Sequence, residues 1–226
     1  MALTAVVPAA LKPEFTFAES TVRRYFSDFQ LRSQGGLLLV GDERSVLVRS
    51  DSLYFAWFEA LASKLGEKAT LDLLYTAARE MGRHDAKAFL ERCRMTNPTA
   101  RVASAFFHMA FSGLAAVEIF ADSQLADNDS FFLHYLQLNT FESEALKGMG
   151  RRSFRCACFY TAGFAAGFCT EAMNMHLHVR EIQCVARGEE RCEFLMAPRQ
   201  KLEEHFRRVR APQAPSPSPS PAKELK

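Results

Sequence analysis

Several residue classes are scarce in this chain of 226 residues, and each shortage excludes a class of protein. Six cysteines are too few, at this length, to suggest a disulfide-stabilised scaffold. The formal net charge is only +2, so bulk electrostatics favour neither nucleic acid nor an anionic membrane as a partner. No stretch approaches the roughly 20 apolar residues that a membrane-spanning helix needs.

The first residues also lack the features of a signal peptide. Residues 1–15 have no basic start, and Pro8 and Lys12 interrupt their apolar run. We therefore expect a cytoplasmic protein with reduced thiols, without a membrane span and without direct contacts to nucleic acid.

The residue that is abundant is phenylalanine. Hydrophobic residues make up 48% of the sequence, with twenty Phe against a single tryptophan, Trp57. This composition predicts one large, Phe-rich core with extensions at both ends. Residues 1–24 are predicted to be an N-terminal arm, either disordered or a helix that packs on a partner. Residues 201–226 are predicted to be a short basic segment and a disordered Pro/Ser tail.

The order of the predicted elements indicates an α+β protein. Two β-rich runs around Gly41-Asp42 predict a hairpin over residues 37–48. Further strands are expected over 114–120 and 131–138, and a closing hairpin around Gly188 pairs residues 179–186 with 190–196. Apolar residues at helical spacing predict helices over 53–65, 68–94 with a possible kink at Gly82, 99–111, 142–148 and 158–175.

Two of these segments indicate how the elements pack. Residues 131–138 are apolar on both faces, as in a strand that is buried on both sides. Gly163 and Gly167 lie four residues apart on one face of the long helix 158–175. Because glycine has no Cβ, this face allows another element to approach closely.

Three thiols and a carboxylate near the C-terminal hairpin form a candidate zinc site, since zinc prefers thiolate with occasional carboxylate ligands. In a hairpin centred on Gly188, Cys184 and Cys192 face each other. Glu181 lies three residues before Cys184, so on a regular strand it points to the other face and joins the site only if the strand bulges. Cys158 would then clip the long helix to the hairpin.

Two other interpretations of these cysteines remain open from spacing alone. They can be ordinary buried thiols, or Cys184 and Cys192 can form a disulfide, although the expected compartment argues against the bond. Three thiolates and a carboxylate around Zn²⁺ would carry an excess of about two negative charges. The arginines close in sequence that could offset this excess are Arg155, Arg180, Arg187 and Arg191.

Several of these residues resemble a known family. The run from Cys158 to Gly167 resembles the C-W-x-x-x-G-Y-A-S-G run of the 4-vinyl-reductase domain, which is also the sensor part of bacterial phenol- and xylene-responsive activators. The segments 181–184 and 191–194 resemble its E-V-E-C and C-R-I ending, and 82–86 resembles its G-x-x-D-A. The resemblance covers roughly residues 30–197, so residues 25–200 are identified as a ligand-binding domain of this type.

This resemblance implies a fold, a metal and an assembly. The fold, also seen in transport-particle subunits, is a twisted antiparallel sheet with helices packed on it, closed by a zinc-clipped C-terminal hairpin. The assembly is usually a homodimer. The implied zinc ligands are Cys158, Glu181, Cys184 and Cys192, and Cys156 is a bystander.

The resemblance also implies a ligand pocket. In the phenol sensors, a His and a Trp contact the ligand in a buried aromatic pocket near the zinc. The Trp position falls on Gln137 here, and His108 is one residue from the His position, which Met109 can hold instead. The implied ligand-binding residues are His108, Tyr135 and Gln137. From the residues alone, His108 can equally be a core histidine.

These observations predict a non-catalytic, zinc-containing sensor that binds a small hydrophobic or aromatic ligand. Because the sequence has no G-x-x-x-x-G-K-[ST] loop and no recognisable DNA-binding domain, we expect it to act in trans on a partner protein. The alternatives are a protein-interaction scaffold without a ligand, and a tetrapyrrole vinyl-reduction factor. The enzyme is disfavoured because the sequence has no nucleotide fingerprint, and a closed four-ligand zinc offers no position for a substrate.

Overall fold

Residues 4–211, the part of the chain that the computed structural model describes, form two antiparallel sheets and seven α-helices. The predicted Pro/Ser tail lies outside these residues. The helices are α1 Lys12–Ser27, α2 Ser50–Leu65, α3 Glu67–Cys93, α4 Pro98–Phe111, α5 Phe141–Gly148, α6 Phe159–Met173 and α7 Arg199–Arg210. The strands are β1 Phe29–Arg32, β2 Leu37–Val40, β3 Glu43–Ser45, β4 Ala116–Ile119, β5 Leu133–Leu138, β6 Leu177–Gln183 and β7 Cys192–Pro198. None of the described helices is long and apolar enough to cross a membrane.

The smaller sheet has the order β1-β2-β3 and contains the first predicted hairpin. Gly41 and Asp42 connect β2 to β3 with φ values of 56° and 65°, which are the positive values that a tight two-residue hairpin turn requires. The predicted second strand ends early, because pairing stops at Ser45. Residues 46–48 continue as an unpaired, exposed apolar segment.

The larger sheet has the order β4-β5-β7-β6 and carries the main core. Its central strand β5 is buried on both faces over Leu133–Gln137, as its continuous apolar run predicts. Helices α4 and α6 pack on the sheet, and α7 follows β7 directly and packs back onto β6 and β7. The predicted α+β class with antiparallel pairing is therefore confirmed, whereas the zinc clip stays a prediction.

Helices α3 and α6 cross at a contact made of glycines. Gly163 and Gly167 of α6 lie against the backbone of α3, as their spacing predicts, and Gly82 of α3 lies against the backbone of α6. A Cβ at any of the three would collide with a carbonyl oxygen of the facing helix, those of Tyr75, Arg79 and Phe164 respectively. The kink predicted at Gly82 is absent, since α3 continues through it.

The N-terminal segment is part of the fold. The boundary expected after residue 24 falls inside α1, and this helix packs on α4 of the same chain instead of being a disordered arm or a helix on a partner. Phe15, Ala18 and Val22 are fully buried, and the ring of Phe15 lies 5.9 Å from that of Phe107. The burial of this apolar face explains why the segment is helical.

The glycine contact predicts that Gly167→Ala destabilises the protein by about 1–3 kcal/mol, because the added methyl group forces two close-packed helices apart. Gly148→Ala is the matched control, since a Cβ at this helical position meets no atom within 4 Å. It should leave stability unchanged or raise it slightly. Urea unfolding of both variants measures the difference, and equal stabilities would contradict the packing argument.

Candidate metal centre and ligand-binding site

The structure brings together the four side chains that the sequence proposes as metal ligands. One ligand atom each from Cys158, Glu181, Cys184 and Cys192 lies within 4.8 Å of all the others, so the cluster can hold a metal ion. The Sγ atom of Cys158 is 3.6 Å from that of Cys192 and 3.9 Å from that of Cys184. A disulfide requires about 2.05 Å, and the cysteines are all free.

The cluster forms because three elements end or bend at the same place. Cys158 is the residue before the first turn of α6, and Cys192 is the first residue of β7. The register of β6 and β7 has a bulge, because Glu181 lies opposite Phe194 whereas Gln183 lies opposite Glu193. This extra residue gives Glu181 access to the face occupied by the cysteines, as the sequence required.

Backbone N–H groups point at the acidic atoms of the cluster. The amide of Ala157 lies 3.4 Å from the Sγ atom of Cys184, and the amide of Val185 lies 3.4 Å from that of Cys192. The amide of Cys158 donates to the Oε2 atom of Glu181 at 3.0 Å. Such donors favour the ionised forms of these groups.

Burial opposes that ionisation. Desolvation raises the pKa of Cys158 well above its ordinary value, and it also raises the pKa of Glu181, to which the nearby Cys184 adds. Hydrogen bonds from Cys158 and Cys184 lower the pKa of Cys192, so this thiol is the preferred place for one negative charge. Further negative charge in the cluster requires a cation.

The four arginines that the sequence suggested as compensating charges are used elsewhere. Each forms an ion pair with a carboxylate outside the cluster: Arg155 with Glu67, Arg180 with Glu203, Arg187 with Glu189 and Arg191 with Glu193. Arg187 acts indirectly, because its partner Glu189 accepts the N–H of Cys184 at 2.6 Å. The expected direct compensation is therefore wrong.

Sequence inspection missed two buried polar residues beside the cluster. The hydroxyl of Thr140 lies 3.1 Å from the Sγ atom of Cys158, and its side chain also caps α5. Glu142 is fully buried and accepts the N–H of Thr161 at 2.9 Å, in the first turn of α6. Desolvation raises the pKa of Glu142 to about 8. A cap at Thr140 was recognisable from the sequence, but the inward direction of Glu142 was not.

The three proposed ligand-binding residues do not lie together. His108 lines an open cavity of about 410 Å³ between α1, the smaller sheet and α4, whereas Tyr135 and Gln137 are not among the residues that line it. Aromatic rings surround the imidazole, among them Phe26 at 5.0 Å and Phe168 at 5.5 Å between centroids. Desolvation lowers the pKa of His108 to about 4, so this histidine is neutral at pH 7.

Tyr135 and Gln137 lie instead beside the metal cluster, in the closed interior. Across the sheet, Tyr135 is opposite Phe194, which is opposite Glu181, and Gln137 is opposite Cys192. Residues opposite each other share a face, so these side chains form two adjacent rows. The unpartnered buried polar atoms of these rows are the hydroxyl of Tyr135, both amide atoms of Gln137 and Oε1 of Glu181.

A cleft of about 230 Å³ reaches the same region from outside. Its walls include Tyr75 of α3 together with Cys158 and Glu181. The hydroxyl of Tyr75 accepts the N–H of Val179 at 3.2 Å, which holds this wall against β6. The cleft gives the cluster a route by which an ion can enter.

Comparison with known proteins places the cluster in a recognised region. Residues 141–198, which contain all four candidate metal ligands, match the model of the 4-vinyl-reductase domain family. The chain is also similar to the phenol regulator MopR of Acinetobacter guillouiae, with 25% identity over 167 residues. This similarity covers 74% of the chain and 30% of MopR, so the chain spans less than a third of that regulator's length.

A solved structure has the same fold. The crystal structure of the phenol-responsive sensory domain of the transcription activator PoxR, determined with phenol, superposes with a TM-score of 0.71. The match covers 89% of this chain and 96% of that domain, at 18% sequence identity. At this identity the likeness shows the fold. The predicted likeness to transport-particle subunits stays a prediction.

Glu142 predicts a specific pH dependence of stability. Its carboxyl has a pKa of about 8 in the folded protein against an ordinary value of 4.5, so the folded state holds the proton more tightly. The free energy of unfolding should therefore fall as pH rises from 4.5 to 8. This contribution disappears in Glu142→Gln, which should gain stability relative to the wild type at pH 8.

Exposed Glu144 supplies the control, because Glu144→Gln should retain the pH dependence of the wild type. Denaturant unfolding at pH 5 and pH 8, at equal metal content, measures all three proteins. Identical pH dependence in the wild type and Glu142→Gln would exclude the proposed proton.

Proposed function

We propose that this protein is a non-catalytic sensor in which a zinc ion clips the β6–β7 hairpin to α6, beside a chamber that binds a small hydrophobic or aromatic ligand. The protein acts as a homodimer, and it acts in trans on a partner protein. The observation that carries the proposal is the combination of a four-ligand cluster with a row of unpartnered buried polar atoms next to it.

The donor set fits zinc. Tetrahedral coordination with Zn–S bonds of about 2.3 Å requires sulfurs roughly 3.8 Å apart. The two separations from Cys158, 3.6 and 3.9 Å, agree with this value. The unpartnered Oε1 atom of Glu181 is available as the fourth ligand. When bound, the ion supplies a cross-link between α6 and the hairpin and offsets the buried negative charge.

The zinc proposal predicts that Cys184→Ser loses the metal and lowers the melting temperature by several degrees, because metal binding stabilises the folded state. Cys156→Ser is the control, since this half-buried thiol lies near the cluster but outside the ligand set. Native mass spectrometry should find about one zinc per chain in the wild type and in the control. Full zinc content in Cys184→Ser would remove this residue from the site.

The chamber beside the cluster combines apolar walls with groups that need hydrogen-bond partners. The ring of Tyr135 lies 5.4 Å from that of Phe106 and 5.5 Å from that of Phe194. An unpaired buried polar group costs roughly 1–3 kcal/mol, so a ligand that pairs with Tyr135 and Gln137 recovers this energy. A small aromatic molecule with a hydroxyl or carbonyl group has the required chemistry.

The relatives support a ligand of this class, since MopR is described as a phenol regulator and the PoxR domain as phenol-responsive. His108 belongs to the same proposal as a rival position, because its cavity also has aromatic walls and a neutral imidazole. Variants at the two places can therefore separate them.

We expect calorimetry with a panel of phenols, other aromatics, lipids and tetrapyrroles to find a ligand among the hydroxylated aromatics. Gln137→Leu should weaken its binding about tenfold, because one hydrogen bond is lost. His108→Asn should leave the affinity unchanged. The opposite pattern would move the site to the His108 cavity, and no binding by any compound would favour the scaffold alternative. Turnover of a divinyl tetrapyrrole would favour the vinyl-reduction alternative.

Dimerisation and action in trans have a candidate surface. The unpaired segment after β3 is strongly exposed, with Leu47 at 90% and Val46 at 80% accessibility, and Leu31 and Phe29 of the same sheet are also exposed. Exposed apolar patches of this kind are typical of protein contacts. The segment is therefore the part of the proposed sensor that contacts a second chain.

A further inference from the structure

Helix α7 and the candidate metal centre use the same residues of β6. On the face of β6 away from the cluster, Ile182 packs with Phe132 and Leu195, and Leu202, Phe206 and Val209 of α7 cover this group. Arg180 of β6 forms an ion pair with Glu203 of α7 at 2.7 Å, and its guanidinium lies 3.6 Å from the ring centroid of Phe206. Helix α7 is thus docked on the strand that carries Glu181.

The final residue of α7 holds the bulge itself. Ile182 is the extra residue between the paired positions Glu181 and Gln183. Its carbonyl oxygen accepts a hydrogen bond from the guanidinium of Arg210 at 2.5 Å and one from Arg187 at 3.5 Å. Because a bulge residue has no regular ladder partner, these side chains satisfy a carbonyl that the sheet leaves free.

The bulge decides where Glu181 points. Side chains alternate along a strand, so without the extra residue Glu181 and Cys184 would face opposite sides of the sheet. With it, the two residues share the side on which Cys192 lies. Any contact that stabilises the bulge therefore keeps the carboxylate in the metal-binding position.

The same small network reaches a second ligand. Arg187, which shares the Ile182 carbonyl with Arg210, also binds the carboxylate of Glu189 at 2.5 Å. That carboxylate accepts the N–H of Cys184 at 2.6 Å. The hydrogen bonds at the end of α7 thus extend to the backbone of both ligands that follow one another in β6.

We propose that Arg210 is a positioning residue for Glu181, and that the docking of α7 and the metal affinity of the centre are coupled. This inference rests on the metal centre of the proposed function. Coupling of this kind is reciprocal: displacement of α7 weakens metal binding, and loss of the metal loosens α7 by the same free energy. The C-terminal helix is therefore the element through which the state of the centre can be sensed.

The test compares two arginines of α7 in the full chain. Arg210→Ala should release zinc to a chromogenic chelator about tenfold faster than the wild type, because the bulge carbonyl loses a charged donor. Arg207→Ala is the matched control, since Arg207 contacts only the exposed Glu203 at 3.4 Å among carboxylates, and its rate should stay within about twofold of the wild type. Arg210→Lys should restore part of the difference.

Hydrogen exchange gives a readout that does not depend on the variants. Removal of zinc from the wild type should speed exchange in α7 and at Gln183 and Cys184 more than in α1, which packs on α4. Wild-type release from Arg210→Ala, or unchanged exchange in α7 after zinc removal, would overturn the coupling. A wild type that binds no metal would instead defeat the metal proposal, which separates the two failures.

Discussion

Three buried thiols and a carboxylate within one small volume are the constraint on which this structure turns. Cys158 and Glu181 both have pKa values raised by burial, so the cluster resists becoming fully ionised. Yet backbone N–H groups and Thr140 surround it with donors that favour negative charge. A cation resolves this conflict, because it attracts the thiolate forms and replaces their lost hydration. The same cation would tie together the start of α6 and both strands of the hairpin.

The helices around the cluster are positioned by small residues. Gly82, Gly163 and Gly167 allow α3 and α6 to approach until their backbones touch, which fixes where α6 begins relative to the sheet. That position places Cys158 over the hairpin and puts Tyr75 of α3 against β6. The packing of two helices and the chemistry of the centre are therefore one arrangement, in which a change at the crossing shifts a ligand atom.

Local patterns predicted most elements and the four ligands, because hairpin geometry around Gly188 depends on neighbours in sequence. The requirement for a bulge also followed from strand alternation, and the structure supplies it. Other features depend on which helix face meets which partner, and a single sequence does not encode this visibly. Gly82 therefore looked like a kink, His108 looked like a neighbour of Gln137, and Glu142 looked like an ordinary helix residue.

The length of α3 gives the crossing a long reach. The helix has 27 residues and so measures about 40 Å. Near one end, Tyr75 lines the cleft at the cluster; near the other, Arg92 pairs with Asp42 in the turn of the smaller sheet at 2.8 Å. Because glycine contacts leave no slack at the crossing, the helix behaves as a rigid lever with its pivot at Gly82. A tilt of a few degrees at the pivot moves the distant hairpin by ångströms, so the two ends of the molecule are mechanically connected.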